Sequence, residues 1–338
     1  MPRRIPIYTT QDETCQADSC QPVLEAARTG EIRLETLVHG HYPGRALPRN
    51  ALPGLKTVGY WDAEQAQNWG LGWHQNEGIE LTLLERGGLD FAVEGVERRL
   101  RPNDLTVTRP WQRHRLGSPH IEPGRLHWII LDLGVRRPHQ TWRWPSWIML
   151  SKPDLDELTL ILRHNEQPVW HNATQVCECF VRIAQAIEAD QDGSNVSWLT
   201  VLLNELLLHT LELFRSREVT LDESLSDTQR TVELFLADLR SDRGHLAEEW
   251  TVRRMAQACG LGVTRFTDYC RRLTNTTPIQ HLNRMRLESA AQLLREEEAL
   301  TNTQVAAQCG FSSAQYFATV FRRQFGRTPQ QYGEEMEA

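Results

Sequence analysis

Lysine is almost missing from this chain. Lys56 and Lys152 are the only two, and arginine supplies the other side-chain cations. That bias reads as a feature of the coding genome, not of function. Long apolar runs are also missing. The longest, Leu199 to Leu213, is broken by Asn204, Glu205, His209 and Glu212, well short of the roughly 18 uninterrupted residues of a membrane span. The first residues, MPRRIPIYTTQDETC, lack the apolar core of a signal peptide. Paired cysteines are not evident either. The seven are an odd number, scattered as Cys15, Cys20, Cys177, Cys179, Cys259, Cys270 and Cys309. Three of these fall on apolar helix positions, and Cys177 and Cys179 point different ways on one helix, so a reduced, cytoplasmic protein without a disulfide framework is expected. A net charge of −7 argues against indiscriminate nucleic-acid binding. At 338 residues, 40% apolar and 24% charged, two or three ordinary globular domains are expected.

What is present is a pattern written twice. TVRRMAQACGLGVTRFTDYCRRLTNTTPIQHL is followed, about 50 residues on, by NTQVAAQCGFSSAQYFATVFRRQFGRTPQQY. Each copy has an apolar-periodic helix ending in Ala-x-x-Cys-Gly, a short polar turn, a second helix with an aromatic seam, and Thr-Pro. This is a doubled helix-turn-helix. In the first copy Val252, Met255, Ala256 and Cys259 share a stripe, Gly260 sits at the turn, and Phe266, Tyr269, Cys270 and Leu273 face inward. In the second, Val305, Ala306 and Cys309 precede Gly310, and Phe311, Phe317, Val320 and Phe321 face inward. The remaining faces of the second helices carry Val263, Thr264, Thr267 and Asp268, and Ser313, Ala314, Gln315, Ala318 and Thr319. Short polar side chains and one Gln suit base edges, and Ala or a Thr methyl suits the thymine methyl. Pro278 to Arg295 reads as one long helix that sets the spacing. A plain bundle of two αα-hairpins is the competing reading, and matched Gly, aromatic and Thr-Pro positions in both copies speak against it.

Charge is balanced over 225–338 but not evenly spread. Arg253, Arg254, Arg265, Arg271 and Arg272 meet only Asp268, and Arg322, Arg323 and Arg327 meet no acid, while acids collect at Glu296–Glu298 and at Glu334, Glu335 and Glu337. The arginine clusters, Arg265, Arg271, Arg322 and Arg323 among them, are the candidate phosphate contacts. Residues 228–332 resemble the DNA-binding domain of the AraC/XylS transcription regulators, most specifically in GFSSAQYFATVFRRQFGRTPQQY. The resemblance implies seven helices and places Val263, Thr264, Thr267, Asp268, Ala314, Gln315, Ala318 and Thr319 toward bases. Asn275 stands where the family usually has Gly, and Asp268 where Arg is frequent.

From Leu55 to Val135 the pattern becomes short strands and turns. Leu126 to Leu133 is nearly all apolar, so both its faces are expected to be covered. The spacing resembles the cupin barrel: His74, Asn76, Glu80 and Gly87 fill the first motif, with Asn for the second His, and Pro102, Asp104, Pro110 and His114 fill the second. Metal cupins bind metal at these positions, so His74, Glu80 and His114 are the weak metal candidates. No cofactor is expected. Ten of the eleven tryptophans precede residue 200. Trp73, Trp111 and Trp128, with His74, Glu80, Arg109 and His114, are the candidate ligand pocket, and indoles beside charged groups suit a polar molecule such as a sugar.

Pro153 to Arg217 is helical, and its Leu-rich last segment, 197–216, presents more apolar surface than one partner covers, so a homodimer is expected there through Leu203 and Leu207. The expected organisation is an α+β two-domain chain: an arm (1–20), a cupin-like antiparallel β-barrel for an effector (21–140), a helical dimerisation and packing region (141–217), an acidic linker (218–228), and an all-α domain with two helix-turn-helix units (229–338). The function expected is a non-enzymatic, ligand-responsive transcription regulator. Its partners would be double-stranded DNA, a small-molecule effector, a second copy and, for an activator, RNA polymerase, with no membrane. A metal-dependent cupin oxygenase or isomerase fused to a DNA-binding module is the alternative.

Overall fold

The computed structural model describes residues 5–9, 14–94, 96–117, 120–137, 140–165, 167–190, 192–217, 219, 221, 228–296 and 300–334. The chain divides into two compact units, residues 1–8, 15–136 and 142–226, and residues 9–14, 137–141 and 227–338. The expected linker, apart from Val219, Leu221 and Thr228, lies outside the described residues, as do Glu297, Glu298, Glu335 and Glu337.

Two short strands, β1 (Ile7–Thr9) and β2 (Thr14–Gln16), and helix α1 (Gln21–Thr29) come first. The remaining strands are β3 (Arg33–Val38), β4 (Arg45–Ala46), β5 (Leu55–Ala63), β6 (Leu71–His74), β7 (Ile79–Arg86), β8 (Leu89–Val93), β9 (Val96–Leu100), β10 (Asp104–Thr108), β11 (His114–Leu116), β12 (Gly124–Leu131) and β13 (Val169–Trp170). They form a seven-stranded sheet, β13-β10-β7-β12-β5-β3-β4, and a four-stranded sheet, β6-β11-β8-β9. The expected closed antiparallel barrel therefore needs correction. Among the described residues β3 to β13 make two open sheets, with β1 and β2 paired apart from them, and β3 pairs with β4 in parallel, Leu37 opposite Arg45. The large sheet ends on two-residue strands, which leave no ladder long enough to close on the other sheet.

Alternation along β7 assigns its two faces. Ile79, Leu81 and Leu83 join a core with Phe180, Leu199, Leu203 and Leu206, supplied by α3 (Thr174–Ala189) and α4 (Val196–Arg215), while Leu158 comes from α2 (Lys152–His164). Leu84, on the opposite face, joins Trp61, Phe91, Leu116 and Leu126 between the sheets. β12 divides in the same way, with Ile129 and Leu131 toward the helices and Leu126 toward the small sheet, so both its faces are covered as the sequence pattern predicts. The helices thus complete the core of the β-rich unit.

The second unit is helical: α5 (Thr228–Ser241), α6 (Arg243–Ala247), α7 (Val252–Ala258), α8 (Val263–Thr274), α9 (Pro278–Glu296), α10 (Asn302–Gln308), α11 (Ala314–Phe325) and α12 (Pro329–Glu334). Among the described residues eight helices stand where seven were expected, because Asp242 takes an extended conformation and caps α6 separately from α5, accepting from His245 N. Two cores fill the unit. One gathers Phe235, Leu239, Met255 and Phe266, and the other Val305, Phe311, Phe317 and Phe321. α9 serves both, through Leu282 and Met285 in one and Leu287, Ala290 and Leu294 in the other. Its buried Arg286 donates to the carbonyls of Leu246 (3.1 Å) and Glu248 (2.7 Å).

Candidate nucleic-acid interface and ligand cavity

Each helix-turn-helix turns on a glycine in the left-handed region, Gly260 at φ 67° and Gly310 at φ 77°. A Cβ on Gly310 would stand 2.6 Å from the Ala247 carbonyl, so that position tolerates glycine alone. Asn275 closes α8 in the left-handed conformation (φ 54°), the state for which Asn is the usual substitute for Gly.

In α8, Phe266 and Cys270 are buried one turn apart, which turns Val263, Thr264, Arg265, Asp268 and Arg271 to solvent and leaves Thr267 half-buried. In α11, Phe317 and Phe321 are buried, Gln315, Thr319, Arg322 and Arg323 are exposed, and Ala314 and Ala318 are half-buried. Ser313 has a structural task as well, since its hydroxyl accepts from Tyr316 N at 3.2 Å as the N-cap of α11. The Thr319 hydroxyl donates to Gln315 O at 2.9 Å, which engages the hydroxyl with the helix backbone and makes the methyl its apolar contact group. The sequence reading passed over Tyr316, which is 48% exposed beside Gln315. Its place in the aromatic seam hid it, although its spacing from Phe317 already put it on another face.

The arginines divide into two sorts. Arg254 pairs with Glu248 and Arg243 with Glu296. Arg265, Arg271, Arg322 and Arg323 have no ion-pair or hydrogen-bond partner for their guanidinium groups among the described residues, and Gln315 likewise has none for its amide. Exposed cations without counter-charges beside short polar side chains form a surface suited to a polyanion.

The first unit holds a second constellation. His74 (β6) and His114 (β11) are register partners in the small sheet, with ring centroids 4.2 Å apart. Glu80 stands on β7 of the large sheet. His114 Nε2 lies 2.9 Å from Glu80 Oε2, so an ion pair links the two sheets. Asn76 Nδ2 donates to Glu80 Oε2 at 2.6 Å, and the Thr82 hydroxyl to Oε1 at 3.3 Å. Burial pushes the Glu80 carboxyl up and the His114 imidazole down, but their mutual bond and charge outweigh it, so Glu80 is held below the ordinary carboxylate range and His114 above the ordinary histidine range. Burial, followed by the charge of His114, lowers His74 to about 4. His74 Nδ1 donates to Gly72 O at 2.7 Å, which leaves Nε2 with a lone pair. The ligand atoms of His74, Glu80 and His114 all lie within 4.8 Å of one another, a set of two imidazoles and a carboxylate that suits a transition metal.

A cavity of 40 Å³ opens beside this cluster. His74, Asn76 and Glu80 form its polar end, and Val23, Leu71, Leu116, Leu126, Trp128 and Ile130 line its apolar walls. Of the sequence candidates, His114 is not part of the lining and meets the cavity only through its pair with Glu80, and three more lie elsewhere. Trp73 is 39% exposed, with the Arg113 and Arg115 guanidinium groups 5.4 and 5.2 Å from its ring, because neighbours on a strand face opposite ways and His74 takes the inner side. Trp111 is buried against Ala17 and Val135 and donates Nε1–H to Val135 O at 2.7 Å. Arg109 lines a separate crevice with Ile161, Asn165 and Phe214. Cys20, Tyr42 and Thr57 also line the cavity, and no sequence signal marks them because they come from separate segments.

The Leu-rich helix also corrects its expectation. Leu203 and Leu207 are fully buried, and the outward stripe of α4 is Trp198 (63% exposed), Val201 (47%) and Leu208 (38%). By length and mean hydropathy α4 could cross a membrane, and it packs instead beneath the large sheet.

A family model described as a helix-turn-helix domain matches residues 255–335. The HTH-type transcriptional activator RhaS of Escherichia coli (strain K12 / DH10B) is 31% identical over 159 residues, covering 47% of this chain and 54% of RhaS. The chain spans about half the length of the curated relatives it matches. Among solved structures, the DNA-binding domain of AdpA in complex with a target DNA is 31% identical over 30% of this chain and 90% of that one, with a TM-score of 0.28. Unsaturated fatty acid-bound ToxT of Vibrio cholerae strain SCE256 is 12% identical over 85% of this chain and 97% of that one, with a TM-score of 0.33. Residues 255–335 thus carry a helix-turn-helix domain.

Proposed function

We propose that the whole chain is a ligand-responsive, sequence-specific regulator of transcription of the AraC/XylS kind. The observation that carries the reading is the pair of reader helices, each with a short polar face and partnerless arginines on one side and a buried aromatic on the other. Two readers on one spacer grip two successive major-groove segments. A transcription regulator of this kind works where the DNA is, in the cytoplasm, and Cys20, Cys177, Cys179, Cys259, Cys270 and Cys309 are free thiols, in keeping with a reducing compartment. Selection of the full chain on a random duplex library tests the reading. Enrichment of a bipartite site supports it, and a protein that binds every duplex equally at low salt overturns it.

The cavity between the sheets is the effector site in this proposal. Its walls favour a small molecule with an apolar body and one polar end over a sugar with many hydroxyls, since of its polar groups Tyr42 and Thr57 are already bonded to Glu77 and Trp128, which leaves His74, Asn76 and Glu80. Effector binding changes how the DNA-binding unit is presented, and an activator would in turn contact RNA polymerase. Dimerisation runs through Trp198, Val201 and Leu208. Trp198→Glu should give a monomer by sedimentation if it does, and an unchanged sedimentation coefficient removes that face from the proposal.

A second reading rests on the closeness of His74, Glu80 and His114. A metal there would activate a bound ligand for oxygenase or isomerase chemistry. We favour the ion pair, since Glu80 already accepts from Asn76 and Thr82 and pairs with His114. Metal analysis of purified protein separates the readings: one equivalent of Fe, Mn or Zn that Glu80→Gln abolishes favours the enzyme.

A further inference from the structure

The C-terminal end of α8 meets α5 and α9 around an open cleft of 660 Å³. Leu236, Ala237 and Leu273 supply its apolar lining, and Arg240, His281 and Arg284 stand on its polar side. The Arg240 side chain makes no hydrogen bond or ion pair among the described residues. Arg284 donates from one terminal nitrogen to His281 Nδ1 at 3.0 Å, and its Nε is buried without a hydrogen-bond partner, with the nearest carboxylate oxygen, on Glu288, 3.8 Å away. Because His281 Nδ1 accepts, the neutral ring carries its proton on Nε2. That atom has no protein partner among the described residues, and His281, buried as it is, lines the cleft. The one acid in the lining, Glu233, already accepts from Gln229 at 3.1 Å.

Two guanidinium groups and an imidazole N–H thus stand around one cleft with unused donors. The reading residues of α8 lie in its first two turns, and this twelve-residue helix spans about 18 Å. The cleft is at its other end, away from the proposed base contacts, with the candidate phosphate contact Arg271 two residues from its lining at Leu273.

We propose that this cleft binds a small molecule through an oxyanion, a carboxylate or a phosphate group, held by Arg240, Arg284 and His281 with its apolar part against Leu236 and Leu273. Guanidinium groups suit both oxyanions, which they hold in bidentate fashion. The site is separate from the cavity between the sheets and does not depend on it. A ligand there would bear on the C-terminal end of the first reader helix.

The test uses the full chain with isotope-labelled histidine rings, His281 being assigned by its loss in His281→Gln. Inorganic phosphate and acetate are titrated separately at constant ionic strength, with chloride making up the difference. A saturable shift of the His281 resonance is expected, roughly tenfold or more weaker in Arg240→Gln. Arg240 is exposed and has no partner among the described residues, so this variant leaves no described carboxylate stranded. Saturation by phosphate alone identifies a phosphate ester as the natural ligand, by acetate alone a carboxylate, and by both the shared oxyanion. No saturable shift with either probe, or an unchanged titration in Arg240→Gln, overturns the proposal.

Discussion

The second helix-turn-helix begins with Thr301, whose hydroxyl accepts from Gln304 N while the Gln304 amide oxygen accepts from Thr301 N, a full capping box. Its reader α11 is capped by Ser313 and ends on Gly326 in the left-handed region. The first helix-turn-helix has Thr251 as a cap without the return bond, and the side chain three residues on, Arg254, goes to Glu249 O and Glu248 instead. Its reader α8 begins at Gly262, which offers no cap, and ends on Asn275. What holds the first unit is aromatic packing, with Phe235 edge-on to Trp250 and Phe266 at 5.2 and 5.9 Å. The second unit has an aromatic core as well, with Phe317 edge-on to Phe321 at 5.4 Å, and adds to it the local capping bonds that the first unit makes only in part.

The largest effect should come from the cores. Phe266→Ala and Phe317→Ala each remove a fully buried ring and should cost about 3–5 kcal/mol in urea unfolding of the full chain. If Phe266→Ala costs under about 1 kcal/mol, the first unit is not held by its core and the contrast fails. Next come the readers. Gln315→Ala should lower discrimination at one base pair by about 1–3 kcal/mol on the selected site, whereas Arg322→Ala should weaken all duplexes alike and flatten the salt dependence. Equal losses on specific and random DNA for Gln315→Ala would show that it reads nothing.

A pH effect is expected in the first unit. Burial, with Arg284 and Arg240 nearby, lowers His281 from an ordinary 6.5 to about 4. Between those values the unfolded chain takes a proton that the folded unit refuses, so stability falls as pH drops from about 6.5 to about 4 and loses nothing more from this group below that. His281→Gln should unfold with a shallower pH dependence across that window, and identical slopes would discount the burial. The smallest effect concerns the caps. Ser313→Ala should cost about 1 kcal/mol, and Gly262→Ser should gain a few tenths, since Gly is itself a fair N-cap. A Gly262→Ser gain as large as the Ser313→Ala loss would mean that the first unit lacks more local support than its core replaces.

The doubled unit was legible because its signals are local. Glycine at a turn, an aromatic every three or four residues and a cap before a helix are read along the chain. The β-rich unit was legible strand by strand, as Leu126–Leu131 shows, but whether sheet edges meet depends on pairings between distant segments, which alternation does not encode. Trp73 is a different case. It adjoins His74 on a strand, so the period of two already forbade both from entering one cavity, and the expected pocket overrode a rule that the sequence carried. Leu203 and Leu207 failed for a third reason, since a stripe apolar over most of its circumference does not say which side meets the sheet.

α9 runs for nineteen residues, about 28 Å, with one reader anchored near each end. Length and rotation are inseparable in a helix. One residue added midway would move the second reader outward by about 1.5 Å and swing it about 100° around the axis, away from the groove that the first reader faces. Adding four would return it to nearly the same bearing, about 6 Å farther on. α9 therefore sets an angular phase between the readers, and the DNA sites open to the protein would change in steps of a helical turn as its length changes.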